Sequence, residues 1–420
     1  MAQNEDIIKA LVESNKWWKQ ESDINYKDRE VYKEINKYLD AKQIIALTGL
    51  RRVGKTTIML KIVKDNIISG FPSANIVYFS FDNFRDLSIS KLIETYSESF
   101  NKDLNNQKYI FLFDEIQKIK DWDEQIKRIY DLNTNFKIII SGSESLFIRK
   151  KSKESLAGRM FEFKVNLLSF KEFLSFKDAK SSPLSLYEKE IYRLFEEFMF
   201  SGGFPELVDI KDESFIKNYI KETVVDKILF RDIPLMFPIR DISILESIFK
   251  VISSNPGQII EINKLAGEVG ISRRVVSLYL NYLENSFLIK KLFNFSRNQR
   301  KTAKKLKKYY PAIPALGFMY GGEDIKPKIF ENVLVLETKA DFFWRDAYKN
   351  EVDIIVLNNG KIIPIEVKYG EIKDINGLLK FMDFFKINKG FVISKNKEEN
   401  KKINSKEVSI IPVLKWLLQN

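Results

Sequence analysis

Over its first third the chain alternates short apolar runs with longer stretches of helical period. Ile44-Ile45-Ala46-Leu47 reads as a buried strand, and Ile58, Met59, Leu60, Ile62 and Val63 then recur at the spacing of one helix face. Asn75–Phe81 predicts a second strand ending at Asp82, and a helix follows around Ile89–Phe100. Lys108-Tyr-Ile-Phe-Leu-Phe113 is apolar on both faces, as a central parallel strand should be, and it ends in Asp114-Glu115. A helix through Trp122–Leu132 and a strand Phe136–Ile140, ending in Ser141-Gly-Ser143, complete the series. Strands alternating with helices predict an α/β unit with a parallel sheet.

After that the period changes. Residues 166–240 read as a helical lid or connector, with a turn at Ser201-Gly-Gly-Phe-Pro205 and an amphipathic aromatic run Phe215–Phe230. Pro234 and Pro238 argue for a break. In residues 241–308, Ile244, Leu245, Ile248, Phe249, Val251 and Ile252 predict one helix, Ile262–Ala266 enters a second, and Gly270-Ile-Ser272 turns into a third. Ser272 is the expected N-cap of Arg273–Leu283, with Arg273, Arg274, Ser277 and Tyr279 directed outward. Phe287–Leu292 alternates like a strand, so the segment reads as a winged helix followed by a basic linker. Residues 309–420 predict a helix at Ile329–Glu337, a strand at Phe342–Trp344, and a hairpin of Glu351–Leu357 with Lys361–Lys368 about Asn358-Asn-Gly360. Residues 1–40 are polar and helical, with Trp17 and Trp18 adjacent, and read as a lead-in to the α/β unit at 41–165.

Chemistry enters at the first strand–helix junction. Gly49-Leu50-Arg51-Arg52-Val53-Gly54-Lys55-Thr56-Thr57 has the Walker A spacing in the strand–loop–helix context that the motif needs. The glycines let backbone N–H groups close around phosphate, and the following helix points its positive end at the same anion. Lys55 would reach the β- and γ-phosphates of ATP, and the Thr56 hydroxyl would bind Mg²⁺. Asp114 has the placement of a second Mg²⁺ partner, and Glu115 could act as the general base on water. Ser141 could sense the γ-phosphate or simply cap the next helix. Arg51 and Arg52 could meet phosphate, a neighbouring subunit or solvent.

Composition narrows the alternatives. The 420 residues contain no histidine and no cysteine, which excludes disulfides, thiolate nucleophiles, histidine bases and zinc ligation by either. Any metal is therefore a hard, oxygen-bound cation. A net charge of +12 favours a polyanionic partner. No apolar run is long enough to span a bilayer and the first residues do not form a signal peptide, so no membrane association and a cytoplasmic location are expected.

Gly49–Thr56, Asp114-Glu115, Ser141-Gly-Ser143, Leu156-Ala-Gly-Arg159 and Leu168-Ser-Phe-Lys-Glu-Phe173 together resemble a family of prokaryotic, mainly archaeal, AAA-like P-loop ATPases. Its members carry a winged-helix segment and a C-terminal PD-(D/E)xK nuclease-like domain. The resemblance implies a sheet in which one strand separates the strands bearing the loop and Asp114. It also makes Arg159 an arginine finger or phosphate sensor, against the alternative of a structural salt bridge. Asp353 and Glu366-Val-Lys368 match the core of the PD-(D/E)xK superfamily, and Glu331 matches the helix carboxylate that some members use. Alternation puts Glu366 and Lys368 on one face of their strand, within reach of Asp353, where the acids could hold Mg²⁺.

The expectation is an ATPase that uses ATP and Mg²⁺ and couples hydrolysis to DNA binding or remodelling. DNA would be met through Arg273, Arg274 and the basic run 297–308, and a homo-oligomer is possible. The alternatives are a nucleotide-gated DNA- or protein-binding switch without nuclease chemistry, and a signalling ATPase whose partner is a protein.

Overall fold

The computed structural model describes residues 4–19, 24–143, 154–298, 302 and 306–419. It divides into two compact units, Met1–Leu167 and Leu168–Asn420.

Among the described residues the first unit is built on five parallel strands, β1 (Ile44–Gly49), β2 (Ile76–Ser80), β3 (Tyr109–Asp114), β4 (Phe136–Ser143) and β5 (Met160–Lys164). Their order is β2-β3-β4-β1-β5. Every residue of β1 and β3 is buried, which is why both read as unbroken apolar runs. β4 lies between β1 and β3, the separation expected from the resemblance. Because all five strands run the same way, the C-terminal ends of β1, β3 and β4 bring Gly49, Asp114 and Ser141 to one edge.

The N-terminal segment closes the edge strand β2. The Asn15 side chain donates to the Tyr78 carbonyl at 2.9 Å and accepts from the Tyr78 N–H at 2.7 Å. Trp17 and Trp18 both donate their indole N–H to the Ile76 carbonyl, at 3.1 and 2.9 Å. An edge capped this way offers fewer open backbone groups for strand addition.

The second unit begins with the helices Phe170–Phe176 and Leu184–Ser201, the first closed by a Ser169/Glu172 capping box. The run after Glu213 continues as a helix with two π-type stretches, Tyr219–Val225 and Ile228–Asp232. Helices Ile242–Ser254, Ile262–Val269 and Arg273–Asn285 follow, and Ser272 caps the third by accepting from the Val275 N–H at 3.4 Å.

Among the described residues nine strands form one sheet here: β6 (Gln258–Ile259), β7 (Ile289–Asn294), β8 (Lys307–Pro311), β9 (Phe342–Arg345), β10 (Glu351–Asn358), β11 (Lys361–Lys368), β12 (Lys389–Ser394), β13 (Glu399–Ile403) and β14 (Lys406–Pro412). The order is β13-β14-β12-β11-β10-β9-β7-β8-β6. The β10–β11 hairpin turns on Asn359 and Gly360, both at positive φ (48° and 76°), the geometry a two-residue primed turn requires. Residues 241–308 and 309–420, expected as separate domains, share this sheet, because β8 crosses residue 308 and β7 pairs with β9.

Two side chains point differently from expectation. Tyr279 is buried, and its hydroxyl accepts from the Asp241 N–H at 3.3 Å; Leu278 takes the exposed position beside it. Of the basic run, Arg300, Lys301, Lys304 and Lys305 lie outside the described residues. Arg297 donates to the Phe385 carbonyl at 2.9 Å, while Lys308 is 4% exposed and faces inward. Lys308 therefore cannot neutralise a phosphate from the surface, because β8 turns it onto the same face as Tyr310.

Candidate functional site

The loop between β1 and the helix Lys55–Ile68 is held by geometry that its residues alone permit. Gly49 has φ 142°, and a Cβ there would lie 2.2 Å from the Val165 carbonyl oxygen just after β5. Gly54 has φ 92° and ends the loop as the helix N-cap. Lys55 is buried and donates to the Gly49 and Leu50 carbonyls at 3.1 and 2.7 Å. Its ammonium is thus folded back across the loop. Arg29, also buried, braces the loop from behind by donating to the Val53 carbonyl and to the Asn166 carbonyl, each at 2.8 Å.

Four groups converge on the Asp114 carboxylate. Thr56 donates its hydroxyl at 2.6 Å and Tyr78 at 2.9 Å, the Ser141 hydroxyl donates to the other oxygen, and the Glu115 N–H lies 3.1 Å from it. Burial raises the Tyr78 phenol above its ordinary range, and the Asp114 charge adds to the shift. Tyr78 therefore stays a hydroxyl donor.

Glu115 sits at φ 54°, an unfavourable backbone region for a residue with a Cβ. Gln117 donates to its carboxylate at 2.6 Å. Burial pushes the Glu115 pKa up; Lys55 and Arg51 pull it back down, and Asp114 adds to the rise. The Arg51 charge thus acts on Glu115. Arg52 is exposed at φ 65°, Thr57 is exposed on the first turn of the helix, and Leu50 and Val53 are buried.

Arg159 is elsewhere. Its carbonyl accepts from the Ile44 N–H, at the start of β1, whereas the loop follows the end of that strand. Six residues of strand put these points roughly 17 Å apart. Its guanidinium makes a two-pronged pair with Asp131, at 2.9 and 3.2 Å. The structure does not bring Arg159 to the loop of its own chain; of the two expectations, the salt bridge is the one it displays.

The C-terminal residues gather in a second cluster. Ile354 pairs with Ile365 across the β10–β11 hairpin, so Asp353 and Glu366 stand opposite each other. Asp353 accepts from the Val367 N–H at 2.9 Å, and Lys368 meets Glu366 at 2.8 Å. Glu331, on the helix Lys326–Glu337, accepts from the Tyr310 hydroxyl at 2.6 Å. Lys308 reaches Glu331, Glu351 and Asp353 at 3.2, 2.6 and 3.4 Å.

Burial opposes the charge on Lys308, but Glu331, Tyr310, Asp353 and Glu351 together hold its pKa well above the usual lysine range. Glu331 is pushed up by burial and Asp353, with Lys308 pulling the other way. Burial and the Asp353 charge push Glu366 up to about 8, opposed by Lys368. Among the described residues no group of three acidic side chains forms a ready-made metal site; the three that converge, Glu331, Glu351 and Asp353, do so on the Lys308 ammonium. Glu366 Oε2, however, is buried without a hydrogen-bond partner among them, which suits a cation bound between Glu366 and Asp353.

Arg273 and Arg274 are exposed at the start of their helix, as expected. Sequence reasoning placed Tyr78, Arg29, Tyr310 and Glu351 at neither site, and it read Lys308 as part of the basic run.

The chain is similar to an uncharacterized protein of Methanocaldococcus jannaschii, 28% identical over 424 residues, covering 94% of this chain and 93% of that one. A protein of Haemophilus influenzae is 27% identical over 413 residues, covering 93% of this chain and 98% of that one. Among solved structures, AMPPCP-bound DnaA from Aquifex aeolicus aligns at 14% identity with a TM-score of 0.29, covering 61% of this chain and 86% of that chain. PCH-2 of C. elegans aligns at 16% identity with a TM-score of 0.26, covering 66% and 68%. No helix among the described residues is long and apolar enough to cross a membrane. Two families described only as domains of unknown function match residues 192–316 and 328–416. The AAA domain family matches residues 41–174, so the segment that carries the Gly49–Thr56 loop, Asp114-Glu115 and Ser141 is similar to an AAA domain.

Proposed function

We propose that this protein hydrolyses ATP with Mg²⁺ and couples the cycle to engagement of DNA. The observation that carries the first part is the convergence on Asp114: Thr56 lies 2.6 Å from it, and Ser141 and Tyr78 complete the ring of donors. A carboxylate and a hydroxyl so placed suit the water shell and direct coordination of one Mg²⁺ at the end of a phosphate loop. When bound, Mg²⁺ neutralises charge developing on the phosphates. Lys55 swings from the Gly49 and Leu50 carbonyls to the β- and γ-phosphates, and Glu115 orients water and takes its proton. Arg51, whose charge acts on Glu115, adds positive charge near the γ-phosphate. Arg159, paired with Asp131 away from the loop, is assigned a structural role within its own chain.

The DNA part is supported by the net charge and by the exposed Arg273 and Arg274 at the start of a helix in a three-helix, β-hairpin segment that we read as a winged helix. We read the nine-stranded part as nuclease-like: Asp353 and Glu366 would hold a divalent cation, which would polarise a phosphodiester, and Lys368 would add positive charge beside them.

The test is ATP turnover with Mg²⁺, measured with and without duplex, branched and single-stranded DNA, for wild type and Lys55→Ala. Lys55→Ala should lower turnover by about 10²-fold or more, and at least one DNA form should change the wild-type rate. Undiminished hydrolysis in Lys55→Ala removes the loop assignment. A rate indifferent to every DNA form removes the coupling and favours a protein-directed switch.

A further inference from the structure

The C-terminal acid cluster falls across the boundary between two separately matched segments. Lys308 and Tyr310 belong to residues 192–316, while Glu331, Glu351, Asp353 and Glu366 belong to residues 328–416. Strand β8 carries the first pair into the second group. Tyr310 is fully buried against Glu331, and Gly257 closes over both: a Cβ there would lie 3.0 Å from the Tyr310 ring and 3.1 Å from Glu331 Oε1. Lys308 passes over the Phe343 ring, 5.5 Å from its centroid, to reach three carboxylates. This is a built interior position.

The cluster is unevenly satisfied. Glu331, Glu351 and Asp353 share the Lys308 ammonium, and Arg345 adds a second cation to Glu351 at 3.5 Å. On the other side, Glu366 gives one oxygen to Lys368 and keeps Oε2 buried and without a hydrogen-bond partner among the described residues. Glu366 is 8% exposed, so water does not readily supply that partner. Buried anionic oxygens need a compensating charge. Lys308 balances one side; on the other, Lys368 balances Glu366 through one oxygen and leaves Oε2 without a hydrogen-bond partner among the described residues.

We propose that Lys308 is a built-in cation of this cluster, filling the position among Glu331, Glu351 and Asp353 that a second divalent ion would take, and leaving one divalent-ion position at Glu366 Oε2 and Asp353. The inference rests on the reading of Asp353 and Glu366 as a metal-holding pair. A tethered ammonium within 3.4 Å of all three acids occupies the volume of an ion, and its charge repels another cation at close range. The site is thus matched to one divalent cation with a phosphodiester, rather than to an ion pair bridging it. It is also incomplete without a strand from the preceding segment.

Manganese binding to the full chain tests this. The titration is run without nucleotide, in an Asp114→Asn background so that the phosphate loop contributes no ion, and is read by calorimetry and by the electron paramagnetic resonance of free Mn²⁺. The unsubstituted cluster should take one Mn²⁺ per chain, Lys308→Arg should still take one, and Lys308→Met should take two. Glu366→Gln should weaken the single site at least tenfold. If the unsubstituted cluster binds two ions, or Lys308→Met stays at one, the role of Lys308 is overturned. If the unsubstituted cluster binds none, or Glu366→Gln binds undiminished, the metal reading beneath it falls instead. Should Lys308→Met fail to fold, the double variant Lys308→Met/Glu351→Gln removes one charge of each sign and should again take two ions. Mn²⁺ should raise its thermal midpoint more than that of the unsubstituted protein, and equal shifts overturn the proposal.

Discussion

The Gly49–Thr56 loop and the C-terminal acid cluster each gather charged and polar side chains, by opposite constructions. In the first unit the parallel sheet does the gathering: β1, β3 and β4 all end at one edge, so any polar residue at a strand's C-terminal end arrives at the site. In the second unit the strands run in mixed directions, and the cluster draws on β8, β10, β11 and the helix Lys326–Glu337. The first site is nearly a list of strand ends. The second depends on how far one strand carries a lysine towards others three places away in the sheet.

Three substitutions would sharpen or break this contrast. The largest effect belongs to Glu115→Gln, which keeps the hydrogen bond to Gln117 but loses the base: ATP should still bind, while turnover falls by about 10²–10⁴-fold. A variant with wild-type turnover would remove Glu115 from the chemistry.

Next comes Glu366 at the second site. Its carboxyl is raised from 4.5 to about 8 by burial and the Asp353 charge, so the folded protein binds its proton more tightly than the unfolded chain does. That contribution to stability is complete below pH 4.5 and is lost as the pH rises through about 8. Thermal midpoints recorded across this window without divalent ions should decline on this account, and Glu366→Gln should flatten the decline. A slope that Glu366→Gln leaves intact assigns the pH dependence to other groups.

The smallest effect is that of Tyr78→Phe. It removes one of the hydroxyl donors to Asp114, a hydrogen bond of about 1 kcal/mol, so turnover should fall a few-fold while ATP affinity holds. Loss of ATP binding in this variant would mean that Tyr78 supports the loop itself.

The first site was legible because its strands are buried on both faces and its candidate residues are contiguous or sit at strand ends. What escaped there has a common cause. Tyr78 sits inside an apolar run and reads as core; its hydroxyl matters only once β2 is known to lie beside β3, with Ser80 opposite Asp114. Strand β5 is an edge strand with partly exposed residues, so its pattern is weak, yet the carbonyl that follows it sets the space around Gly49. Arg29 lies 24 residues ahead of the Val53 carbonyl it braces, and nothing local marks it.

In the second unit the hairpin and its facing carboxylates were legible from alternation and Asn359-Gly360 alone. Lys308 was read as one more member of a basic run. The signal against that reading was the apolar company of Tyr309-Tyr310-Pro311, which places Lys308 and Tyr310 on a shared face of a strand. Tyr279 shows the same difficulty on a helix, where the exposed position fell one residue earlier, at Leu278.

The placement of Lys308 also bears on ancestry. Residues 192–316 and 328–416 match two different families, yet a lysine of one balances acids of the other. A gene exchange that joined residues 328–416 to a foreign upstream segment would transmit the carboxylates without their counter-charge. Such a hybrid would begin with a burdened interior and would need either a replacement lysine or an additional bound ion to survive.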